Sequence, residues 1–174
     1  MTGTVYLITG VQAAGKSTVA QALARRLPRS AHIRGDTFRT FVVNGRAEMS
    51  PDPSAAALEQ LRLRYRLAAA SADAYAAAGF AAVVQDVVLG EQLPWFAEQI
   101  RTRPCHVIVL VPRPEVVAAR EAGRAKKAYG TFTVADLDSG LRSTTPRIGL
   151  WLDNSDLTVA ETVDAILDRS QPLP

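Results

Sequence analysis

A glycine-rich segment that ends in lysine and serine is the part of the sequence best suited to chemistry. Residues 10–18 read GVQAAGKST and follow the apolar run TVYLIT. Gly10, Gly15, Lys16 and Ser17 match the pattern G-x-x-x-x-G-K-[ST] at every fixed position. In such a loop the backbone N–H groups turn inward, the following helix contributes its positive end, and the lysine ammonium reaches the outer phosphates. The segment therefore predicts a site for the phosphates of a nucleotide.

Two side chains are candidates for holding magnesium beside these phosphates. Ser17 offers a hydroxyl at the end of the loop. A carboxylate at the end of a neighbouring strand can hold the same ion, and Asp86 follows the apolar run AAVVQ, where its alternative role is to cap a turn. Because the Asn-Lys-x-Asp signature of guanine-specific proteins is absent from the sequence, we expect ATP and Mg²⁺ as cofactors. The residues predicted to contact the nucleotide in this loop are Gly10, Ala13, Ala14, Gly15, Lys16, Ser17 and Thr18.

A third carboxylate is placed where it could activate the acceptor of a phosphoryl group. Asp36 lies in HIRGDTFR, directly after the second predicted strand. In a parallel sheet the strands end at the same crevice as the phosphate loop, and a hydroxyl acceptor needs a base or an orienting carboxylate there. Asp36 is therefore a candidate catalytic base. The alternative is that Asp36 caps the helix TFRTFVV.

Two arginines follow the fourth predicted strand in the basic segment PRPEVVAAREAGRAKKAYG, residues 112–130. Arg120 and Arg124 are four residues apart, so on a helix their guanidinium groups project from one face and can clamp a phosphoryl group. We expect residues 113–130 to form a lid that closes over the nucleotide. The alternative is a solvated helix face on which Glu115 and Glu121 pair with these cations.

The elements that position these residues alternate between strands and helices. The apolar runs are continuous, which is typical of parallel strands buried on both faces. Right-handed crossovers then predict an α/β fold, a three-layer sandwich with a five-stranded parallel sheet. Predicted strands cover 4–9, 31–35, 81–88, 106–112 and 149–155, and predicted helices 16–27, 56–79 and 158–170, the last with a capping box of Thr158 and Glu161. Residues 44–54 read as a loop, and residues 171–174 are expected to fray.

Composition limits the class of protein. A chain of 174 residues with 48% hydrophobic and 21% charged residues predicts one globular domain over residues 1–174. The net charge of +3, with basic and acidic residues mixed, argues against a nucleic-acid partner. No apolar run approaches membrane-spanning length and the N-terminus lacks a signal peptide, so we expect a cytoplasmic protein without a membrane partner. Cys105, His32 and His106 are isolated in the sequence and are interpreted as structural.

These segments together resemble the chloramphenicol phosphotransferase family of P-loop small-molecule kinases. The resemblance rests on GVQAAGKSTV, GDTF, AAAGFAAVVQDVVLG and AAREAGR, and it runs from residue 5 to about residue 167. It implies the architecture of nucleoside monophosphate kinases with a short lid. It also implies that Asp36 is the base, that Lys16 and Ser17 serve ATP and magnesium, and that Arg120 and Arg124 belong to the lid.

The same resemblance extends to the adenine site and departs at one acid. LWLDNSDLTVAE, residues 150–161, is similar to the stretch that lies beside adenine in these kinases, which implies Asn154, and with it Asp153, as a nucleotide contact. That family tends to carry two adjacent acids where this sequence has Gln85 and Asp86. The missing acid bears on the identity of the substrate rather than on the nucleotide chemistry.

The sequence therefore predicts an ATP-dependent kinase that phosphorylates a hydroxyl of a small molecule, such as the antibiotic chloramphenicol. A nucleoside or nucleoside monophosphate kinase is the first alternative, because Arg39 in GDTFR resembles an arginine that grips an acceptor's phosphate in those enzymes. A regulatory P-loop ATPase is the second. The residues expected to bind the acceptor are Asp36, Phe38, Arg39 and Asp86, and an apolar wall is expected from Phe38, Phe41, Val42, Trp95 and Phe96. The sequence does not indicate an oligomeric state.

Overall fold

The fold is built on a parallel sheet. The computed structural model describes residues 3–123 and 132–174, and within these residues the sheet has five strands in the order β2-β3-β1-β4-β5. All of the pairings between these strands are parallel, as the continuous apolar runs predict. The strands are β1 Val5–Gly10, β2 Ser30–Arg34, β3 Ala81–Gln85, β4 Cys105–Leu110 and β5 Leu150–Leu152.

Helices cover both faces of this sheet. They are α1 Lys16–Arg26, α2 Gly35–Thr40, α3 Ala55–Ala77, α4 Gln92–Gln99, α5 Pro114–Ala122, α6 Val134–Thr144 and α7 Val159–Arg169. Ala82, Val83 and Val84 follow one another in β3 and all three are fully buried, although successive side chains of a strand point to opposite faces. Helix α1 packs on α7, α3 packs on α4, and both α1 and α3 contact β3. The predicted three-layer α/β sandwich with a five-stranded parallel sheet is confirmed.

The helix ends follow the local signals in the sequence. The capping box of Thr158 and Glu161 is present at the start of α7. Ser54 caps α3 by accepting a hydrogen bond from the N–H of Ala57, and Gly79, with φ of 82°, follows the end of that helix. Helix α6 was not among the predicted helices, although Thr133 and Asp136 form a capping box at its start. The T-x-x-D spacing was the signal that could have revealed it.

Three predicted strands are shorter in the structure than in the prediction, β3 and β5 by several residues and β4 by one. Strand β3 ends at Gln85 rather than at residue 88, because the side chain of Thr9 takes over the hydrogen bonds of Val88. The Thr9 hydroxyl donates to the Val88 carbonyl and accepts from the Val88 N–H. Strand β5 covers only Leu150–Leu152. The shorter β3 leaves Asp86, Val87 and Leu89 to line the crevice at the end of the sheet.

The expectation that residues 171–174 fray is wrong. The N–H of Leu173 donates to the Cys105 carbonyl at 2.7 Å, and Pro172 forms a bridge with His106. The His106 ring also lies 3.0 Å from the Ser170 hydroxyl. The end of the chain is therefore anchored beside β4.

The isolated cysteine and histidines take structural positions. Cys105 is buried and free, and His32 lies 3.0 Å from the Gln21 side chain. Across residues 3–123 and 132–174, no cluster of three His, Cys, Asp or Glu side chains is arranged to hold a metal ion. Nor does any described helix have the length and hydropathy needed to span a membrane.

Candidate nucleotide and acceptor site

The phosphate loop connects the end of β1 to the start of α1. Gly10, Ala13 and Gly15 have φ angles of 151°, 62° and 96°, a backbone path that glycine adopts more readily than other residues. A Cβ on Gly10 would lie 2.6 Å from the Leu110 carbonyl oxygen, so this position also needs glycine for space. The positive φ angles at these three positions bend the loop, and a loop bent in this way presents a concave run of backbone N–H groups, which suits an anion.

The lysine of the loop lies inside this concave run. Lys16 is buried, and its ammonium donates to the Val11 carbonyl at 2.8 Å. Helix α1 begins at this residue, with Gly15 as its N-cap, so the positive end of the helix adds to the lysine charge. The loop can therefore neutralise the outer phosphates of a nucleotide.

A cleft with a volume of about 1260 Å³ extends from this loop. It brings together most of the residues that the sequence singled out. Those that line it are Ala13, Gly15, Lys16, Ser17, Thr18, Asp36, Phe38, Arg39, Phe41, Val42, Asp86 and Arg120. Arg124, and the part of the predicted lid from residue 124 onward, lie outside the described residues.

Asp36 faces this cleft as an exposed side chain. It is the second residue of α2, whose N-cap is Arg34 and has no side-chain cap. The alternative in which Asp36 caps this helix is therefore wrong. Among the described residues Asp36 has no ion pair or side-chain hydrogen bond, so its carboxylate is available to a ligand.

Asp86 is buried at the floor of the cleft and forms an ion pair that the sequence did not predict. Its Oδ1 accepts from the Arg64 Nη2 at 2.6 Å and from the Val87 N–H at 2.8 Å. Oδ2 is buried and has no hydrogen-bond partner among the described residues. Burial raises the pKa of Asp86 to about 6, while the Arg64 charge acts to lower it. The Val87 N–H belongs to the next residue in the chain, and residues 86–89 form no turn, so the turn-capping alternative is not what the structure shows.

Arg64 could have been found from the pattern of α3. Ala68, Ala72 and Ala76 are buried at a spacing of four residues, and the same stripe continued one turn back reaches Arg64. An arginine on a buried stripe needs a partner of opposite charge. Asp86 is that partner.

The Asp86→Asn substitution is expected to change how the free energy of unfolding depends on pH. The pKa of Asp86 is about 6 in the folded chain against an ordinary value of 3.8. The folded protein therefore holds this proton more tightly, and the wild type loses stability as the pH rises through this interval. The loss is up to about 3 kcal/mol, and the Asn variant lacks it. Urea unfolding of both proteins between about pH 4 and pH 7 measures the difference, and parallel curves would contradict it.

The remaining predicted acceptor residues divide into two groups. Arg39 lines the cleft and forms an ion pair with Glu48, and Phe38 packs edge-on against Phe41 with ring centroids 5.8 Å apart. The expectation that Trp95 and Phe96 form part of the wall is wrong, since neither lines the cleft. Phe96 is fully buried and stacks on Tyr65, and Trp95 lies beside Arg62. Both belong to the packing of α4 on α3.

Arg120 closes the other end of the site. Its guanidinium donates to the carbonyls of Ala14 and Asn154, each at 3.3 Å. Glu115, which would pair with Arg120 or Arg124 in the alternative of a solvated helix face, pairs with Arg113 instead. Arg120 therefore joins α5 to the phosphate loop and to the segment after β5.

A smaller cavity, of about 210 Å³, lies behind Arg120. It shares Gly15, Thr18 and Arg120 with the larger cleft, so it is continuous with the phosphate loop. Asn154 lines it, whereas Asp153 does not and instead accepts hydrogen bonds from Ser155. The rest of the wall is Val19, Leu157, Val159 and Thr162. An apolar slot next to a phosphate loop has the position that a nucleobase requires.

Comparisons with known proteins agree with this architecture. A family model described as "AAA domain" matches residues 5–146. A sugar kinase from Janibacter sp. HTCC2649 has 19% sequence identity and a TM-score of 0.70, over 97% of this chain and 94% of that one. An APS kinase from Mycobacterium tuberculosis, in complex with AMPPNP and APS, has 19% identity and a TM-score of 0.69, over 96% of each chain. A tunicamycin resistance protein from Deinococcus radiodurans has 18% identity and a TM-score of 0.68, over 99% of each chain. No curated protein matches the sequence.

Proposed function

Because the chain belongs to the AAA domain family, we propose that it is an ATP-dependent kinase that phosphorylates a hydroxyl of a small, uncharged molecule. The observation that carries the proposal is the position of Asp36. This exposed carboxylate lines the same cleft as Lys16 and Ser17 of the phosphate loop. A carboxylate beside a bound phosphoryl group is what a kinase needs to orient a hydroxyl and accept its proton.

The part of the cleft beyond Asp36 favours an acceptor without a negative charge. We call this part the acceptor half; α2, residues 41–49 and the facing side of α3 line it. Its described cations are already paired, Arg39 with Glu48 and Arg64 with Asp86. The acceptor's phosphate in a nucleoside monophosphate kinase would need an unpaired cation at this place. The pairing therefore counts against that alternative.

The same half is lined by apolar side chains that remain exposed to solvent. Exposed apolar surface that is gathered in one groove marks a binding site. A molecule that combines a hydroxyl with an apolar body fits this lining, and an antibiotic such as chloramphenicol is a candidate. The side chains concerned are Phe41, Met49, Leu58, Leu63 and Leu67.

The roles of the other residues follow from their positions. Lys16 and the loop N–H groups would bind the β- and γ-phosphates, and Arg120 would cover the nucleotide from α5. Ser17 and Asp86 line the cleft together, and hydroxyl and carboxylate oxygens are ligands that Mg²⁺ accepts. Because Asp86 Oδ1 is already engaged by Arg64 and Val87, we place Ser17 in direct contact with the ion and Asp86 behind water. When bound, magnesium would neutralise phosphate charge.

The similar structures support this kind of reaction on this fold. They include a sugar kinase and an APS kinase, and the APS kinase holds the nucleotide analogue AMPPNP. We place the chain in the cytoplasm, with a small-molecule acceptor and without a nucleic-acid or membrane partner.

An acceptor panel that separates charge from size tests the proposal. ADP release with ATP and Mg²⁺ is measured with chloramphenicol, glucose, gluconate, thymidine and thymidine monophosphate. We expect turnover with the neutral apolar acceptor, and none that depends on gluconate or thymidine monophosphate. The Arg39→Gln variant is the matched control, because it removes a cleft cation and should change the turnover of a neutral acceptor by less than about threefold.

Two results would overturn the proposal. Turnover of thymidine monophosphate that is lost in Arg39→Gln would identify a nucleoside monophosphate kinase. Slow ATP hydrolysis that no acceptor stimulates, and that Asp36→Asn leaves unchanged, would indicate a regulatory ATPase.

A further inference from the structure

The carbonyl of Ala14 is held from outside the phosphate loop by two side chains that are distant in sequence. The Asn154 Nδ2 donates to it at 3.2 Å and the Arg120 Nη1 at 3.3 Å. Asn154 is 3% exposed, and it is 140 residues away along the chain. Since an oxygen acceptor must meet a donor, the amino group of the Asn154 amide has to face Ala14.

We propose that Asn154 is a positioning residue for the phosphate loop, a role separate from contact with the base. The peptide between Ala14 and Gly15 is planar and trans, so its C=O and N–H point in opposite directions. A donor that holds the Ala14 carbonyl outward therefore turns the Gly15 N–H toward the phosphates. Among the described residues that N–H donates to no backbone carbonyl, which leaves it for a ligand.

The loop needs such support because its backbone is strained. Ala13 has φ of 62°, a left-handed conformation that costs a residue with a Cβ about 1 kcal/mol. Gly15 on the other side of Ala14 is left-handed as well, with φ of 96°. The Asn154 hydrogen bond lies between these two residues and opposes relaxation of the strained Ala13, whereas Gly15 adopts its conformation without strain. The loop is then already arranged for phosphate before a nucleotide arrives.

A competing role for Asn154 would be to bind the base. Asn154 also lines the smaller cavity, and its Oδ1 is buried without a hydrogen-bond partner among the described residues. The two roles predict opposite results with fragments of ATP. Tripolyphosphate occupies only the loop, and adenosine reaches the base cavity without the phosphates.

The test is the binding of tripolyphosphate, adenosine and ATP to the wild type and to Asn154→Leu, measured by isothermal titration calorimetry. Leucine has a similar size and no amide. We expect the affinities for tripolyphosphate and ATP to fall by the same factor, about five- to tenfold, as for the loss of one buried hydrogen bond. The affinity for adenosine should stay within about twofold. Leu157→Ala is the matched control: it lines the base cavity, so it should weaken adenosine and leave tripolyphosphate unchanged.

Several results would overturn the inference. A loss of adenosine binding with unchanged tripolyphosphate binding would assign Asn154 to the base, and equal binding by the two proteins would remove any role. Circular dichroism checks that Asn154→Leu is folded; if it is not, Asn154→Ala carries the same comparison. The inference rests on the proposed function only for the presence of a triphosphate site. If the wild type binds tripolyphosphate but phosphorylates nothing, the kinase proposal fails and the inference stands; if it binds no tripolyphosphate, both fail.

Discussion

Asp36→Asn is expected to lower kcat for the acceptor-dependent reaction by about 10²–10⁴-fold, the range that a general base contributes. Asparagine keeps the shape of the side chain but cannot take the proton of a hydroxyl. Asp36 lies in α2, and within the described part of the chain it holds no other group in place. The fold and the ATP site should therefore be retained, with KM for ATP within about threefold. Steady-state ADP release at saturating acceptor measures the change.

The control for this substitution is Asp168→Asn, an acid near the end of α7 that is exposed and lines neither cavity. It loses the same charge and should keep wild-type kcat. A loss of less than about tenfold in Asp36→Asn would mean that Asp36 is not the base. If KM for ATP rose by a factor as large as the fall in kcat, Asp36 would instead be a residue that binds the nucleotide.

The parts of the site that the sequence predicted are those with a local signature. The phosphate loop is a contiguous motif, and Asp36 and Asp86 lie within two residues of the end of a strand that ends at the crevice. That Asp36 and Asp86 lie near each other can be predicted from one rule alone, namely that parallel strands end at the same edge of the sheet. The same reasoning predicted the sheet, because in a chain of this length continuous apolar runs are compatible with few arrangements other than a buried parallel sheet.

The parts that were missed depend on which face of a helix meets the sheet. Arg64 is one of three arginines in LRLRYRL. The buried alanine stripe of α3 singles it out, but only the packing of α3 on the sheet identifies Asp86 as its partner. Phe96 was expected in the acceptor wall, but α4 turns it toward Tyr65. Helix propensity and composition do not determine the rotation of a helix about its own axis, and this rotation decides which face meets the sheet. The rotation is set by the side chains of both partners together.

The anchored C-terminus and the early end of β3 have a similar origin. Leu173 is held by a single backbone hydrogen bond to Cys105, a partner that no pattern in residues 171–174 indicates. The Thr9 hydroxyl takes the place of the inter-strand backbone hydrogen bonds at Val88. The presence of a threonine in a strand does not by itself indicate such a role. Such interactions between distant residues are visible only once the strands are assembled.

The two cleft carboxylates are linked through the residue before Asp36. Gly35 is the first residue of α2, and a Cβ there would overlap Asp86 Oδ2 and lie 2.7 Å from its Cγ. Asp86 cannot retreat, because Arg64 and the Val87 N–H hold its other oxygen and its side chain is buried. The absence of a Cβ at Gly35 therefore allows α2 to lie against Asp86 and present Asp36 to the cleft.

Gly35→Ala is consequently expected to destabilise the fold by about 3–5 kcal/mol, the cost of disrupting a buried ion pair. The matched control is Gly140→Ala in α6, where a Cβ would meet nothing within 4 Å. Alanine is the better helix former, so this control should gain about 0.5–1 kcal/mol. Urea unfolding at neutral pH compares both variants with the wild type. If Gly35→Ala lost less than about 1 kcal/mol, Asp86 could move aside without losing Arg64, and the close approach of α2 would not require glycine.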